Sequence, residues 1–183
     1  MLRSCVCRGP ERCPWLRGDG WLLLSPRPPP PLTNTRNPQV TTLDVPGKHS
    51  DFARASIQKY GPRPDPTITL VEGRAIDTLP TLAGKQYDLI FIDADKPAYP
   101  AYLDIIMDLG LLAPGGVLLA DNILRYGLVA DSSSNNPNVQ EYTYAVRDAP
   151  ALDEFNKKVL GDPRLESVIL PVFDGINFVK RKY

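Results

Sequence analysis

A chain of 183 residues is long enough for one domain with a substantial core. Hydrophobic residues make up 43% and charged residues 23%, the balance of a soluble globular protein, and 21 basic against 21 acidic residues give no electrostatic reason to expect nucleic acid as partner. No apolar run is long enough to span a bilayer and Met1-Leu2-Arg3 opens no secretory signal, so no membrane partner and a cytoplasmic location are expected.

Residues 1–39 differ in character from the rest. Pro26, Pro28, Pro29, Pro30 and Pro31 follow one another closely, and Arg3, Arg8, Arg12, Arg17, Arg27 and Arg36 face only Glu11 and Asp19. This leader is expected to lack regular structure, with Ser25 to Pro31 favouring polyproline II or disorder. A Pro-rich ligand for an SH3-like domain and an Arg-rich organelle address are the alternatives. Trp21-Leu22-Leu23-Leu24 is the one apolar run. Cys5, Cys7 and Cys13 read as free thiols, because a zinc site wants four ligands and His49 lies far off.

From Val40 strands and helices alternate. Val40 to Leu43 reads as a strand ending at Asp44. His49 to Tyr60 reads as a helix with Phe52, Ala53, Ala55, Ser56 and Ile57 inward and Gly61 as its stop. Thr67 to Val71 is a strand and Ile76 to Leu82 a short helical piece. Asp88 to Ile92 is a strand ending at Asp93, followed by a helix from Pro97 to Leu109. Ala113 to Gly116 reads as a tight turn before a strand that ends at Asp121. Asp131 to Asn138 is a loop. Ala151 to Leu160 is helical, with Leu152, Phe155 and Val159 on one side. Leu165 to Val172 and Ile176 to Arg181 are strands of a hairpin. The alternation implies an α/β domain over 40–183, a mostly parallel sheet finished by an antiparallel hairpin.

Two of these strands stop abruptly at acid: Phe91-Ile92-Asp93-Ala94-Asp95-Lys96 and Leu119-Ala120-Asp121-Asn122. A strand buried on both faces cannot hold carboxylates in its middle, so the acids mark carboxyl ends, the edge where open α/β sheets bind ligands. Asp93, Asp121 and Asn122 offer the hard oxygens that Mg²⁺ or Ca²⁺ prefers. Plainer roles stand beside this. Asp93 and Asp95 could cap the next helix, Asp121-Asn122 is a good turn pair, and Lys96 could be a solvated surface lysine.

Taken together, Thr42-Leu43-Asp44, Glu72-Gly73-Arg74-Ala75, Phe91 to Lys96, Leu112 to Gly116, Leu119 to Asn122 and Asp174-Gly175 resemble the cation-dependent class I O-methyltransferases, the group of catechol and caffeoyl-CoA O-methyltransferases. The resemblance implies a Rossmann-like fold and an enzyme that transfers methyl from S-adenosylmethionine to a phenolic small molecule. It implies that Asp93, Asp121 and Asn122 hold a divalent cation, Mg²⁺ by expectation. Lys96 then stands as catalytic base beside Asp93. Asp44, Ala75 and Asp95 would meet the cofactor at its ribose, adenine and amino-acid end, and a homodimer is implied as well. The chemistry suits these residue types. A phenol with pKa near 10 is a weak nucleophile at neutral pH. A cation favours the phenolate, and a lysine can take the proton.

The chain departs from that pattern in one large respect. The family's first strand and its Gly-rich loop, E-x-G-x-x-x-G, have no match before Val40, and Gly18-Asp19-Gly20 precedes an apolar run instead of following one. The first strand is therefore expected to be missing or replaced, with Trp21 to Leu24 as the candidate surrogate. Weak or absent S-adenosylmethionine binding is expected, and a catalytically inactive homologue with a Pro-rich binding leader is the second reading. A truncated or alternative gene model would account for the leader. A phospho-acceptor receiver domain also clusters acids at strand ends, but the hairpin finish fits it poorly. Arg125-Tyr126 follows the second acid pair, and Tyr126 could stack on an aromatic acceptor or pack under the loop from Asp131 to Asn138.

Overall fold

The computed structural model describes the backbone of residues 21–26 and 60 and the whole of residues 39–59 and 68–183. The three cysteines, Gly18-Asp19-Gly20, most of the Pro-rich run, Gly61 and Thr67 lie outside the described residues. Seven strands form one sheet in the order β3-β2-β1-β4-β5-β7-β6. The strands are β1 (Trp21–Pro26), β2 (Val40–Asp44), β3 (Ile68–Glu72), β4 (Tyr87–Asp93), β5 (Leu112–Asp121), β6 (Leu165–Leu170) and β7 (Ile176–Arg181). The principal helices are α1 (Lys48–Tyr60), α2 (Ala75–Thr78), α3 (Tyr99–Asp108) and α6 (Ala149–Gly161), with α4 (Asn138–Glu141) and α5 (Thr143–Val146) as single turns.

The surrogate strand fills the gap. β1 lies between β2 and β4 and runs antiparallel to both, with Leu23 opposite Thr42 on one side and Phe91 on the other. The leader therefore contributes one regular element. β2 and β3 pair in parallel, as do β4 and β5, while β7 pairs antiparallel with β5 and β6. A ladder interrupted between β2 and β4 would leave two rows of buried backbone groups unpaired, each costly, and β1 satisfies both rows.

One face of the sheet is covered by α3 and α6. Ile90, Ile92, Leu118, Ala120 and Val179 point there and are buried with Tyr99, Leu103, Ile106, Leu152 and Phe155. Alternate residues face opposite sides of a strand, so Leu89, Phe178 and Val168 belong to the other face, where they are exposed. Tyr99 and Phe155 meet edge to face at 5.6 Å, which ties α3 to α6.

Three local expectations are corrected. Ala113 to Gly116 is not a turn but part of β5. Tyr87 pairs with Leu112 and Leu89 with Val117, so the extra residues bulge out, and Gly115 at φ 74° permits it. In α1, Phe52 and Ala55 face solvent, whereas Ser50 is fully buried; its Oγ donates to Gly47 O at 2.9 Å and accepts from Gly47 N at 3.0 Å, which fixes the entry to the helix. The helix expected from Pro97 begins with a 3-10 turn, Lys96–Ala98, and becomes α-helical at Tyr99.

Candidate active site

The carboxyl ends of β4 and β5 lie side by side, since Ile92 pairs with Ala120 one residue before each acid. The 3-10 turn after β4 brings Lys96 back over the rim. Its ammonium donates to Asp93 Oδ1 at 2.7 Å and to Tyr99 Oη at 2.9 Å. The Tyr99 hydroxyl in turn lies 3.2 Å from the carbonyl oxygens of both Ile92 and Asp121, so it spans the two strand ends. Lys96 is 8% exposed and Tyr99 fully buried. Lys96 is thus a placed group rather than a solvated surface lysine.

Burial pushes the Asp121 carboxyl up from the ordinary carboxylate range. The Asn122 amide opposes this, the charge of Asp93 adds to it, Lys96 opposes it and Asp174 adds to it. Burial, then the charges of Asp93 and Asp121, hold the Tyr99 hydroxyl well above the usual phenol value. Two acids at one half-buried rim repel each other, and a cation between them would relieve the repulsion. Asn122 has φ 60°, a left-handed conformation that Asn tolerates better than most residues. Its backbone N–H donates to Asp121 Oδ1 at 2.7 Å, and its side-chain amide has no partner among the described residues. Asp93, Asp121 and Asn122 are therefore a donor set of hard oxygens that fits a small divalent cation. Two carboxylates and an amide are the whole of it, because no group of three or more His, Cys, Asp or Glu suited to a metal occurs among the described residues.

The other half of the rim holds a cavity of about 250 Å³. Asp44, Ala75 and Asp95 all line it, together with Leu43, Gly73 and Tyr102. Asp44 ends β2, is 5% exposed and accepts from Val45 N at 2.9 Å. Gly73 N donates to Asp44 O at 2.9 Å, which closes the floor between β2 and β3. Gly73 has φ 145°, and a Cβ there would come within 2.7 Å of Thr78 Cγ2, so the close approach requires glycine. The Asp95 carboxylate accepts a hydrogen bond from the Tyr102 hydroxyl. A larger hollow of about 580 Å³ lies elsewhere, between α3 and the end of α6. Its charges pair with one another, Lys158 with Asp104 and Arg164 with Asp162, each at 2.6 Å, and none of the residues singled out at the strand tips lines it.

The structure thus gathers the sequence-derived residues into two adjacent groups, Asp93, Lys96, Asp121 and Asn122, and Asp44, Ala75 and Asp95. Tyr99 and Tyr102 went unread as polar groups. Their spacing from Asp95, four and seven residues, is the helical signal that puts them on one face. Of the two roles open for Tyr126, its contacts show packing. It stacks on Tyr142 at 4.1 Å, and Asn138 Nδ2 donates to its carbonyl at 2.8 Å.

Comparison with known proteins gives the family and the fold. The profile of the family described as O-methyltransferase matches residues 32–182. The chain is 36% identical to O-methyltransferase ankF of Aspergillus thermomutatus over 146 residues, 79% of this chain and 60% of that protein. It is 41% identical to a catechol O-methyltransferase of Mycobacterium tuberculosis over 95 residues, 51% of this chain and 41% of the other. Among solved structures, the SAH-bound methyltransferase PaMTH1 of Podospora anserina superposes with a TM-score of 0.67 at 37% identity, covering 78% of this chain and 60% of that one. An O-methyltransferase of Bacillus cereus, also in complex with SAH, gives 0.64 at 29% identity, covering 79% and 63%. The chain spans 60% of the length of ankF.

Proposed function

The chain belongs to the O-methyltransferase family, and we propose that it transfers a methyl group from S-adenosylmethionine to a hydroxyl of a catechol-like phenol with the help of a divalent cation. One observation supports this above the others. The seven residues named for cation, proton and cofactor fall into two neighbouring groups on a single sheet edge.

In this reading Asp44 meets the ribose hydroxyls from the end of β2, the backbone at Ala75 borders the base, and Asp95, steadied by Tyr102, faces the charged end of the cofactor. When bound, S-adenosylmethionine would supply the electrophilic methyl, and a divalent cation held by Asp93, Asp121 and Asn122 would favour the phenolate of a coordinated acceptor. Lys96, as the neutral amine, is the group placed to take the acceptor's proton and become the ammonium, and Tyr99 fixes where its Nζ sits. Holding acceptor and cofactor at attack distance would supply much of the rate.

A second reading, an inactive homologue, rests on the direction of β1. Trp21 pairs with Asp93 at the rim and Pro26 with Tyr87 at the far edge, so the chain leaving β1 departs from the side opposite the cavity. Two measurements separate the readings. Calorimetric titration with SAH and with Mg²⁺ should give saturable binding of both if the first holds. Radiolabelled methyl transfer to catechol should then require Mg²⁺ and disappear in Asp121→Asn. Binding of Mg²⁺ without SAH would favour the inactive homologue.

A further inference from the structure

The turn that follows Asp121 is built against backbone preference. Asn122, Arg125 and Tyr126 have φ of 60°, 46° and 57°, all in the left-handed region, and none is glycine. Such conformations are unfavourable for residues other than glycine and persist only where the surroundings over-determine them. Here several groups do so. Ile123 N and Leu124 N donate to the carbonyls of Gly175 and Asp174 at 3.2 and 3.0 Å, and Tyr126 N donates to the Asp174 carboxylate. The largest anchor is Arg125. Its Nε and Nη2 donate to Asp148 Oδ2 at 3.0 and 2.6 Å, with Arg125 14% and Asp148 6% exposed at the side chain.

Asp148 stands at the N-cap position of α6, yet its side chain makes no cap hydrogen bond. The carboxylate is given to Arg125 instead. The guanidinium also lies over the rings of Tyr126 and Tyr144, at 5.4 and 5.8 Å from their centroids. At its backbone, Arg125 N donates to Asn122 O at 3.1 Å. One hydrogen-bonded turn therefore joins the anchored residue to the Asn122 amide, which has no partner among the described residues.

We propose that Arg125 is a positioning residue which, through its buried pair with Asp148, fixes the turn that presents the Asn122 amide to a divalent cation. The proposal rests on the cation site described above. Truncating Arg125 leaves the buried Asp148 carboxylate with only the exposed Arg147, whose Nε lies 3.7 Å from Oδ1, and the strained turn then has less to hold it. Loss of an outer partner of a metal ligand typically weakens metal binding about 10–100-fold.

The experiment is Mn²⁺ titration of the full chain, followed by electron paramagnetic resonance, with thermal unfolding measured alongside. Arg125→Met and Asp148→Asn should each weaken Mn²⁺ binding by about tenfold or more. Arg125→Lys keeps the charge but loses the two-pronged donation, and it should fall between. The paired variant Arg125→Met/Asp148→Leu strands neither charge, so it keeps the experiment readable if the single variants fail to fold; it should bind Mn²⁺ as weakly as Arg125→Met. Asp153→Asn breaks the exposed pair with Lys157 and should change nothing. The deciding comparison is a double-mutant cycle. If Arg125 acts through Asn122, then Arg125→Met adds no further loss of affinity in the Asn122→Ala background. Equal, additive losses would mean a general structural role and overturn the proposal, as would unchanged Mn²⁺ binding in Arg125→Met. A wild-type chain that binds no Mn²⁺ would overturn the cation site itself, and this proposal with it.

Discussion

The two halves of the ligand rim are built differently. On the cation side, β4 and β5 are parallel neighbours in regular register from Leu89 and Val117 to Ile92 and Ala120, past the bulge, and each acid is aimed by its own strand and the turn after it. On the cofactor side, β2 and β3 are also parallel neighbours, but the strand beside them runs backwards. Side chains placed by strand ends survive that reversal, and Asp44, Ala75 and Asp95 still line one cavity. A loop that has to leave the central strand at that rim has no such start here, because β1 begins at the rim with Trp21 and ends at the opposite edge with Pro26. A site assembled from strand tips is robust to the direction of its neighbours, whereas one assembled from a crossover loop is not.

Four changes would test that contrast, from the largest effect to the smallest. Leu23→Pro in β1 removes a ladder donor at the seam between the halves and should cost about 3 kcal/mol or more. Calorimetry should show the melting temperature lowered by roughly 6 °C or more for a chain of this size. Tyr99→Phe acts on the cation side alone. It removes the hydroxyl that accepts from Lys96 and spans the two strand ends, leaving buried groups unsatisfied at about 1–3 kcal/mol, measurable by urea unfolding.

Gly73→Ala acts on the cofactor side alone. It forces a Cβ toward Thr78 at a left-handed φ, so stability should fall by roughly 1–2 kcal/mol and SAH binding should weaken while Mg²⁺ binding is spared. If titration showed both ligands equally weakened, the two halves would not be separable. The smallest effect concerns Glu72, whose hydrogen bond from Arg54 holds its carboxyl below the ordinary 4.5. A depressed acid contributes stability that is present above its unfolded pKa and is lost as pH falls through its folded one. Glu72→Gln should therefore flatten the acid limb of a stability–pH curve below about 4.5 and leave neutral stability only slightly lower.

How much could be read in advance follows from what each residue depends on. Asp44, Asp93 and Asp121 were legible because a buried apolar run has to end where a carboxylate begins. Phe155 and Val159 were legible because helical spacing puts them on one face. The direction of β1 was not, because Trp21 to Leu24 carries no mark of which end meets the rim. Phe52 was placed inward by its apolarity, yet the buried position went to Ser50, whose hydroxyl closes the turn at Gly47. Arg125 gave no sign, since its partner Asp148 is 23 residues away. Such a pairing is set by tertiary packing, not by any local period.

The six residues of β1 have a further consequence for how the molecule comes apart. Among the described residues they are the only backbone ladder joining the β3-β2 pair to the β4-β5-β7-β6 group. The packing of α2 against β2 and α3 is a further tie between the blocks. Cooperative melting of the described domain as one unit thus depends on a short segment drawn from the Pro- and Arg-rich leader. Were that segment to slip out, the blocks would have no shared scaffold, and heating would resolve two events in place of one.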